Sequence, residues 1–211
     1  MGLLSLLFQD PLSFFMLAGV LVASLTIHEF AHAWAADKLG DPTPRHQGRL
    51  TLNPLAHLDP LGSIALLVIG FGWGKPVQFD PYNLKEPIRG AAIIALAGPA
   101  VNLLMALLLA LVLPWLPALS SIISLSLFYN VMLAIFNLVP VAPLDGSRIV
   151  LALLPKHTAQ EYESFMHRYG TFVLIALLMP WGGQSPISML IRPIISVVLT
   201  GLLSLSHVLG A

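Results

Sequence analysis

His28, Glu29 and His32 bring two imidazoles and a carboxylate together in the pattern H-E-x-x-H. On an α-helix, residues four apart return to nearly the same face, about 6 Å further along the axis. The two histidines can therefore each give one ring nitrogen to a single zinc ion. Glu29 lies one position round the helix, where it can reach water at the metal and act as a general base. The pattern predicts a catalytic metal site.

The composition shows what surrounds these residues. Apolar residues make up 57% of the 211 and charged residues 9%, with ten bases balanced by ten acids. Soluble domains average about 45–50% apolar and about 25% charged residues. These values exclude an ordinary soluble globule, a disordered chain and a coiled coil, and the neutral balance argues against a nucleic-acid partner. The absence of cysteine excludes disulfides and thiolate metal ligands. The sequence predicts a multi-pass protein of the cell membrane, surrounded by the lipid bilayer.

The histidine pair falls inside an apolar window. No residue between Asp10 and His28 is charged, and a membrane-spanning helix needs about 20 apolar residues. Each ionisable group in such a helix costs at least about 2.5 kcal/mol and usually has a function. This location favours the metal site over a chance occurrence of the pattern.

The charge-free windows predict the helices that position the site. Spans are predicted at residues 11–36, 90–113, 119–139, 169–181 and 186–209. Residues 61–72 form a shorter, glycine-containing apolar segment, which fits a re-entrant segment better than a span. We expect an all-α polytopic membrane protein with about five transmembrane helices, the re-entrant segment and a short β-loop. We expect residues 1–211 to form one domain, with a catalytic core at about 11–155 and a C-terminal helix pair at about 169–209.

Asp145 is the strongest candidate for the third ligand that a catalytic zinc site needs. It follows a span that is broken by Pro140 and Pro143, and unwound backbone at membrane depth is tolerated only where it is buried in protein or lines a cavity. The alternative is a helix N-cap, which for an isolated aspartate is the more common role. If residues 61–72 do not cross the membrane, Asp145 lies on the same side as His28 and His32.

Three motifs in this order resemble the site-2 protease family of intramembrane zinc metalloproteases. They are H-E-x-x-H, the sequence A-G-P-A-V-N at 97–102, and N-x-x-P-x-x-P-L-D-G at 137–146. The resemblance covers residues 21–154. It implies that His28, His32 and Asp145 hold one zinc ion per chain, that Glu29 is the catalytic base, and that Asn137 lies near the substrate carbonyl. The alternative for Asn137 is a structural role, in which its side chain caps a backbone group that Pro140 leaves without a helical hydrogen bond.

The resemblance also extends to a short loop after the re-entrant segment. It implies that this β-loop holds an extended strand of the substrate, with the substrate-binding residues Trp73, Gly74, Lys75, Pro76 and Val77. The implied activity is zinc-dependent hydrolysis of peptide bonds within or near the transmembrane segments of other membrane proteins. The chain lacks the PDZ-like insertion of larger members.

Four further residues have expected structural roles. We expect Asn102 to brace a helix pair through an interhelical hydrogen bond, and Arg45 and Arg49 to face lipid phosphates. His57 is expected to be a solvated loop histidine, with contact to a metal ligand as the less common alternative.

Two other functions use the same residues. A membrane metal-ion transporter would use His28, His32 and Asp145 as a transient site open to both sides, with little need for Glu29. A catalytically silent scaffold would bind membrane proteins without cutting them, and would not need Glu29 at all. No inverted repeat is visible in the sequence, which argues against the transporter.

Overall fold

The computed structural model describes residues 3–210, except for the side chains of residues 207, 209 and 210. It is 78% helical and contains no sheet within this range. The predicted all-α architecture is confirmed. Its helices are α1 (Leu3–Gln9), α2 (Pro11–Lys38), α3 (Thr43–His46), α4 (Pro60–Ile69), α5 (Pro87–Val112), α6 (Ser120–Asn137), α7 (Asp145–Leu153), α8 (Lys156–Leu178) and α9 (Pro186–Gly210).

The helix that carries H-E-x-x-H is long and has a well-defined start. The Asp10 side chain caps it by accepting a hydrogen bond from Ser13 N at 3.1 Å, and Pro11 takes the first helical position. The helix then continues for 28 residues to Lys38, about 42 Å at 1.5 Å per residue. It passes through all three ionisable residues of the motif without a break, so the i, i+4 geometry of the histidine pair is preserved.

Four helical segments in the described residues are long and apolar enough to cross a membrane, against about five predicted. They are Pro11–Lys38, Pro87–Trp115, Pro117–Asn137 and Pro186–Ser206. The predicted span at residues 169–181 is not confirmed. Its helical part is the end of α8, whose first half carries the charged residues Lys156, Glu161, Glu163 and Arg168. The ten uncharged helical residues that remain extend only about 15 Å.

The predicted re-entrant segment is α4, a ten-residue apolar helix that is too short to span a membrane. Asp59 caps its start, and Gly70 ends it with a φ of 79°, in the left-handed region that favours glycine. The predicted β-loop consists of one antiparallel bridge between Leu58 and Gly74, which is less than the strand pairing that the sequence suggested.

Helix α5 occupies the centre of the molecule and contacts α2, α6, α7 and α9. Ala106 and Ala110 on α5 are fully buried, and such small residues let membrane helices approach closely. They join an apolar cluster with Val131 of α6 and Ile191 of α9. Helix α9 therefore packs against both α5 and α6, while α2 and α7 also contact α5 and carry the functional groups.

Candidate active site

Three side-chain atoms from two distant parts of the chain converge at one point. His28 Nε2 lies 3.0 Å from His32 Nε2, and Asp145 Oδ2 lies 3.2 Å from the first and 3.3 Å from the second. Donor atoms about 2.0–2.1 Å from one tetrahedral metal ion would be separated by about 3.3 Å. These three residues form a group that could hold a metal ion, and a site with three protein ligands leaves the fourth position open.

The other nitrogen of each imidazole contacts an acceptor. His28 Nδ1 lies 2.5 Å from Asn102 Oδ1, and His32 Nδ1 lies 2.7 Å from Ile94 O. Both oxygens accept hydrogen bonds, so each ring carries its proton on Nδ1 and presents the Nε2 lone pair to the shared point. This is the tautomer that a metal-binding histidine needs, and such partners fix the orientation of the ring.

Asn102 belongs to a buried network of amides between three helices. Its Nδ2 donates to Ser24 O at 3.2 Å and to Asn130 Oδ1 at 2.7 Å, while Asn130 Nδ2 donates to Ser24 Oγ at 2.9 Å. Asn102 thus braces α2 against α5, and it also orients His28, a contact that was not predicted. Asn130 was missed altogether. A buried polar residue within a charge-free span was the available signal.

Gly98 allows α5 to lie directly against both imidazoles. A β-carbon at this position would lie 2.4 Å from His32 Nε2 and 2.6 Å from His28 Cε1. Pro99, which follows within the helix, cannot donate a backbone hydrogen bond to Ala95 O. The absence of a side chain at Gly98 therefore lets the two imidazoles pack directly against the α5 backbone.

Asp145 is the first residue of α7, and Leu144 rather than Asp145 takes the N-cap position. The N-cap alternative considered for the aspartate is therefore wrong. The turn before it is tight, since a β-carbon on Gly146 would lie 2.3 Å from Leu138 O.

Glu29 lies beside this cluster and is 9% exposed. Its Oε2 accepts a hydrogen bond from Val77 N at 3.1 Å and lies 3.7 Å from Arg49 Nη2. The carboxylate therefore faces the loop that was predicted to bind substrate. This loop is also joined to residue 57, because Lys75 N donates to His57 O at 2.8 Å.

Two predictions about the surrounding loops are wrong. Arg49 was expected to face lipid phosphates, but it is 3% exposed and donates to Ala56 O and Lys75 O. His57 was expected to be solvated, but it is fully buried, with Nε2 2.8 Å from Thr51 O. Both residues point inward because residues 41–60 fold over the end of α2, a tertiary arrangement that composition does not reveal.

Asn137 and Trp73 were both predicted to contact the substrate. Asn137 Nδ2 donates to Leu133 O of its own helix at 3.0 Å, and its role near a substrate carbonyl stays a prediction. Trp73 is half exposed, at 51%. The role of Trp73, Gly74, Lys75, Pro76 and Val77 in substrate binding also stays a prediction.

A buried aspartate ties the loops around the site to each other. Asp41 accepts hydrogen bonds from Thr43 N and Oγ1, from Asn83 Nδ2 and from Asp80 N, at 2.6–3.1 Å. Burial raises its pKa, but these four donors outweigh it and lower the pKa below its usual value. The ionised carboxylate therefore stabilises the packing of residues 41–43 against residues 80–83.

Comparison with known proteins identifies the family. Residues 115–180 match the model of Peptidase family M50, a stretch that includes Asp145. The chain is 36% identical over 171 residues to YwhC of Bacillus subtilis, which is named as a candidate zinc metalloprotease, and the match covers 75% of this chain and 78% of YwhC. The chain belongs to peptidase family M50, the site-2 protease family.

More distant M50 relatives show the same similarity over part of their length. Rip2 of Mycobacterium tuberculosis, also named as a candidate zinc metalloprotease, is 32% identical, over 78% of this chain and 65% of Rip2. The zinc metalloprotease MJ0392 of Methanocaldococcus jannaschii is 28% identical, over 65% of this chain and 34% of its own length. No solved structure shows significant similarity to the chain.

Membership of M50 and the four apolar helices make this chain a membrane-integral zinc metalloprotease. The three convergent donor atoms fit the metal, since they belong to imidazole and carboxylate groups, which zinc accepts as ligands. The expected zinc cofactor and enzyme class are confirmed.

Proposed function

We propose that this M50 protease is an endopeptidase that hydrolyses peptide bonds within or near the transmembrane segments of other membrane proteins. The observation that carries the proposal is the position of Glu29, between the His28–His32–Asp145 cluster and Val77 of the 73–77 loop. A base, a metal-binding group and a segment suited to hold a peptide are thus contiguous at the end of a membrane helix.

The ligand assignment rests on charge and orientation. His28 and His32 would bind zinc through Nε2, with Nδ1 held by Asn102 and Ile94, and Asp145 would supply the third donor. One carboxylate and two neutral imidazoles leave a net charge of about +1 at the site. Zinc bound there supplies Lewis acidity, which activates water and polarises the scissile carbonyl.

Glu29 would perform the proton transfers. It would accept the proton of the attacking water and later deliver it to the leaving amine. Its Oε2 is engaged by Val77 N–H, so Oε1 is the oxygen available for this step. Asn137 would donate to the developing oxyanion, for which its amide must leave Leu133 O.

The 73–77 loop would hold the substrate as an extended strand. The N–H groups of Lys75 and Val77 both point toward the protein, to His57 O and to Glu29. Successive residues of an extended strand face opposite sides, so the outer edge carries the carbonyls of Gly74 and Pro76. A substrate strand can pair with those carbonyls after its helix unwinds. Half-exposed Trp73 would contact its side chains.

The test uses purified protein in detergent with a single-span membrane protein as substrate. Glu29→Gln should retain one zinc ion per chain and lose cleavage by about 10²–10⁴-fold, the usual contribution of a general base. Mass spectrometry of the products should place the cut within or next to the transmembrane segment. Cleavage by purified Glu29→Gln at the wild-type rate would refute the proposal, and cuts confined to soluble loops would refute the intramembrane part. A transporter would instead release bound zinc across a vesicle membrane with Glu29→Gln unimpaired.

A further inference from the structure

Arg49 is a buried cation in the loop after α3. It is the one Lys or Arg side chain in the buried class among residues 3–210, at 3% exposure, whereas nearby Arg45 is 62% exposed and pairs with Asp37 at the surface. Gly48, with a φ of 67°, ends α3 and turns the chain, and Arg49 N donates to Pro44 O at 2.8 Å. Arginine is rarely buried unless it is paired, so its partners indicate why it is there.

The guanidinium joins two separate loop segments. Nη1 donates to Ala56 O and Nη2 donates to Lys75 O. Ala56 ends the short 3₁₀ turn Pro54–Ala56, and Lys75 lies in the proposed substrate loop. The planar fork of an arginine can donate to two acceptors at fixed separation, which a lysine cannot do. Arg49 therefore sets the distance of the 73–77 loop from the turn beneath it.

The same nitrogen that binds the loop also faces Glu29. Arg49 Nη2 lies 3.7 Å from Glu29 Oε2, and this oxygen accepts from Val77 N at 3.1 Å. Oε2 is thus held by a cation on one side and by the loop backbone on the other. The carboxylate thus has one oxygen fixed, which leaves Oε1 as the oxygen for the proposed proton transfer.

We propose that Arg49 is a positioning residue that aligns Glu29 with the 73–77 loop, so that the base keeps a fixed position relative to the bound peptide strand. This inference rests on the proposed function of Glu29 and of the loop. Arg49 itself touches neither the metal ligands nor the reacting atoms. It acts through the Glu29 carboxylate and through the Lys75 carbonyl.

The first measurement needs neither zinc nor substrate. Hydrogen exchange in the metal-free protein should show the Lys75 and Val77 amides exchanging about tenfold faster in Arg49→Met than in wild type, because their acceptors lose alignment. The control is Arg45→Met, the same replacement at an exposed arginine in α3, which should leave both amides unchanged. Equal exchange of these amides in wild type and Arg49→Met would overturn the proposal.

The second measurement separates positioning from general structural support. Arg49→Met should bind one zinc ion per chain and lower kcat by about 100-fold, the usual effect of misplacing a catalytic group by about 1 Å. Arg49→Lys retains the charge without the fork and should restore kcat to within about tenfold of wild type. In the Glu29→Gln background, Arg49→Met should lower the residual rate by less than about threefold, since residues that act as a unit are not additive.

The outcomes distinguish this inference from the proposed function. Wild-type cleavage that Glu29→Gln abolishes, together with an unchanged kcat in Arg49→Met, overturns the role of Arg49 alone. If adding Arg49→Met lowers the residual cleavage rate of Glu29→Gln by a further 100-fold, the role of Arg49 is also overturned. If Arg49→Met fails to fold, Arg49→Gln, which also lacks the charge and the fork, replaces it in both measurements, and wild-type exchange and kcat in that variant overturn the proposal. Cleavage that survives Glu29→Gln refutes the proposed function, while amide exchange still tests the alignment.

Discussion

Gly98→Ala should disrupt the metal site without changing any ligand. The added β-carbon would lie 2.4 Å from His32 Nε2 and 2.6 Å from His28 Cε1, while ordinary van der Waals contact begins at 3.4 Å. The rings or the α5 backbone must therefore move by about 1 Å, a value that follows from the same distances. Zinc sites tolerate deviations of only about 0.2 Å in ligand distance. Both proposed histidine ligands are affected together.

We expect the zinc affinity of Gly98→Ala to fall by at least about 100-fold, at the upper end of what indirect changes to a metal site cost. This corresponds to about 2.7 kcal/mol of binding free energy. Helix propensity acts in the opposite direction, because alanine favours a helix over glycine by about 1 kcal/mol. A loss of affinity would therefore report the collision with the imidazoles rather than a weaker α5.

The assay is competition for zinc with a chromophoric chelator in detergent. Gly19→Ala is the matched control, because Gly19 lies on α2, the helix of the two histidines, and a β-carbon there meets nothing within 4 Å. It should bind zinc as wild type does. If Gly98→Ala binds zinc within about threefold of wild type, α5 does not lie against the histidines as described.

Three further changes test other parts of the site. Asn102→Leu removes the acceptor of His28 Nδ1–H and should weaken zinc binding by about 10–100-fold in the same chelator assay. Asp41→Asn should lower the unfolding free energy by about 2 kcal/mol at pH 7, measured by thermal unfolding in detergent, because it places an amide against donors that need a carboxylate. Gly146→Ala should displace Asp145 and reduce zinc binding about 100-fold, because its β-carbon meets Leu138 O at 2.3 Å.

The pH dependence of Asp41 has a definite sign. Its pKa is lower in the folded protein than its usual value of 3.8, so its stabilisation is complete above about pH 4 and is lost as the pH falls through the folded pKa. The stability difference between wild type and Asp41→Asn should thus shrink below about pH 4. A stability difference that is constant from pH 7 to pH 3 would contradict this sign. Wild-type zinc affinity in Asn102→Leu or in Gly146→Ala would contradict the corresponding zinc prediction.

The local part of the site could be predicted from the sequence. The pairing of His28 with His32 depends only on helical periodicity within one uninterrupted helix. Asp145 could be placed near them from the charge-free windows, because two long spans and a short apolar segment leave it on the same side of the membrane. The interruption of α5 and α6 after Val112 was likewise evident from the prolines at 114 and 117.

The supporting contacts could not be predicted in the same way. Arg49, His57 and Asp41 are buried because the loop that follows α2 folds back on it, and a polar loop sequence is equally compatible with exposure. The contact between Asn102 and His28 depends on the rotation of α5 about its axis, which the even hydrophobicity of a membrane helix does not specify. The charged half of α8 also shows that a charge-free window predicts a span only when the helix around it is apolar for long enough.

In the proposed site, His28, His32 and Asp145 hold one zinc ion beside Glu29. X-ray absorption at the zinc edge of the reconstituted protein tests it most directly. We expect one zinc ion per chain, four-coordinate, with two imidazoles and oxygen ligands at about 2.0–2.2 Å. A zinc ion with any number of imidazole ligands other than two would contradict this assignment. A chain that binds no zinc would also contradict it.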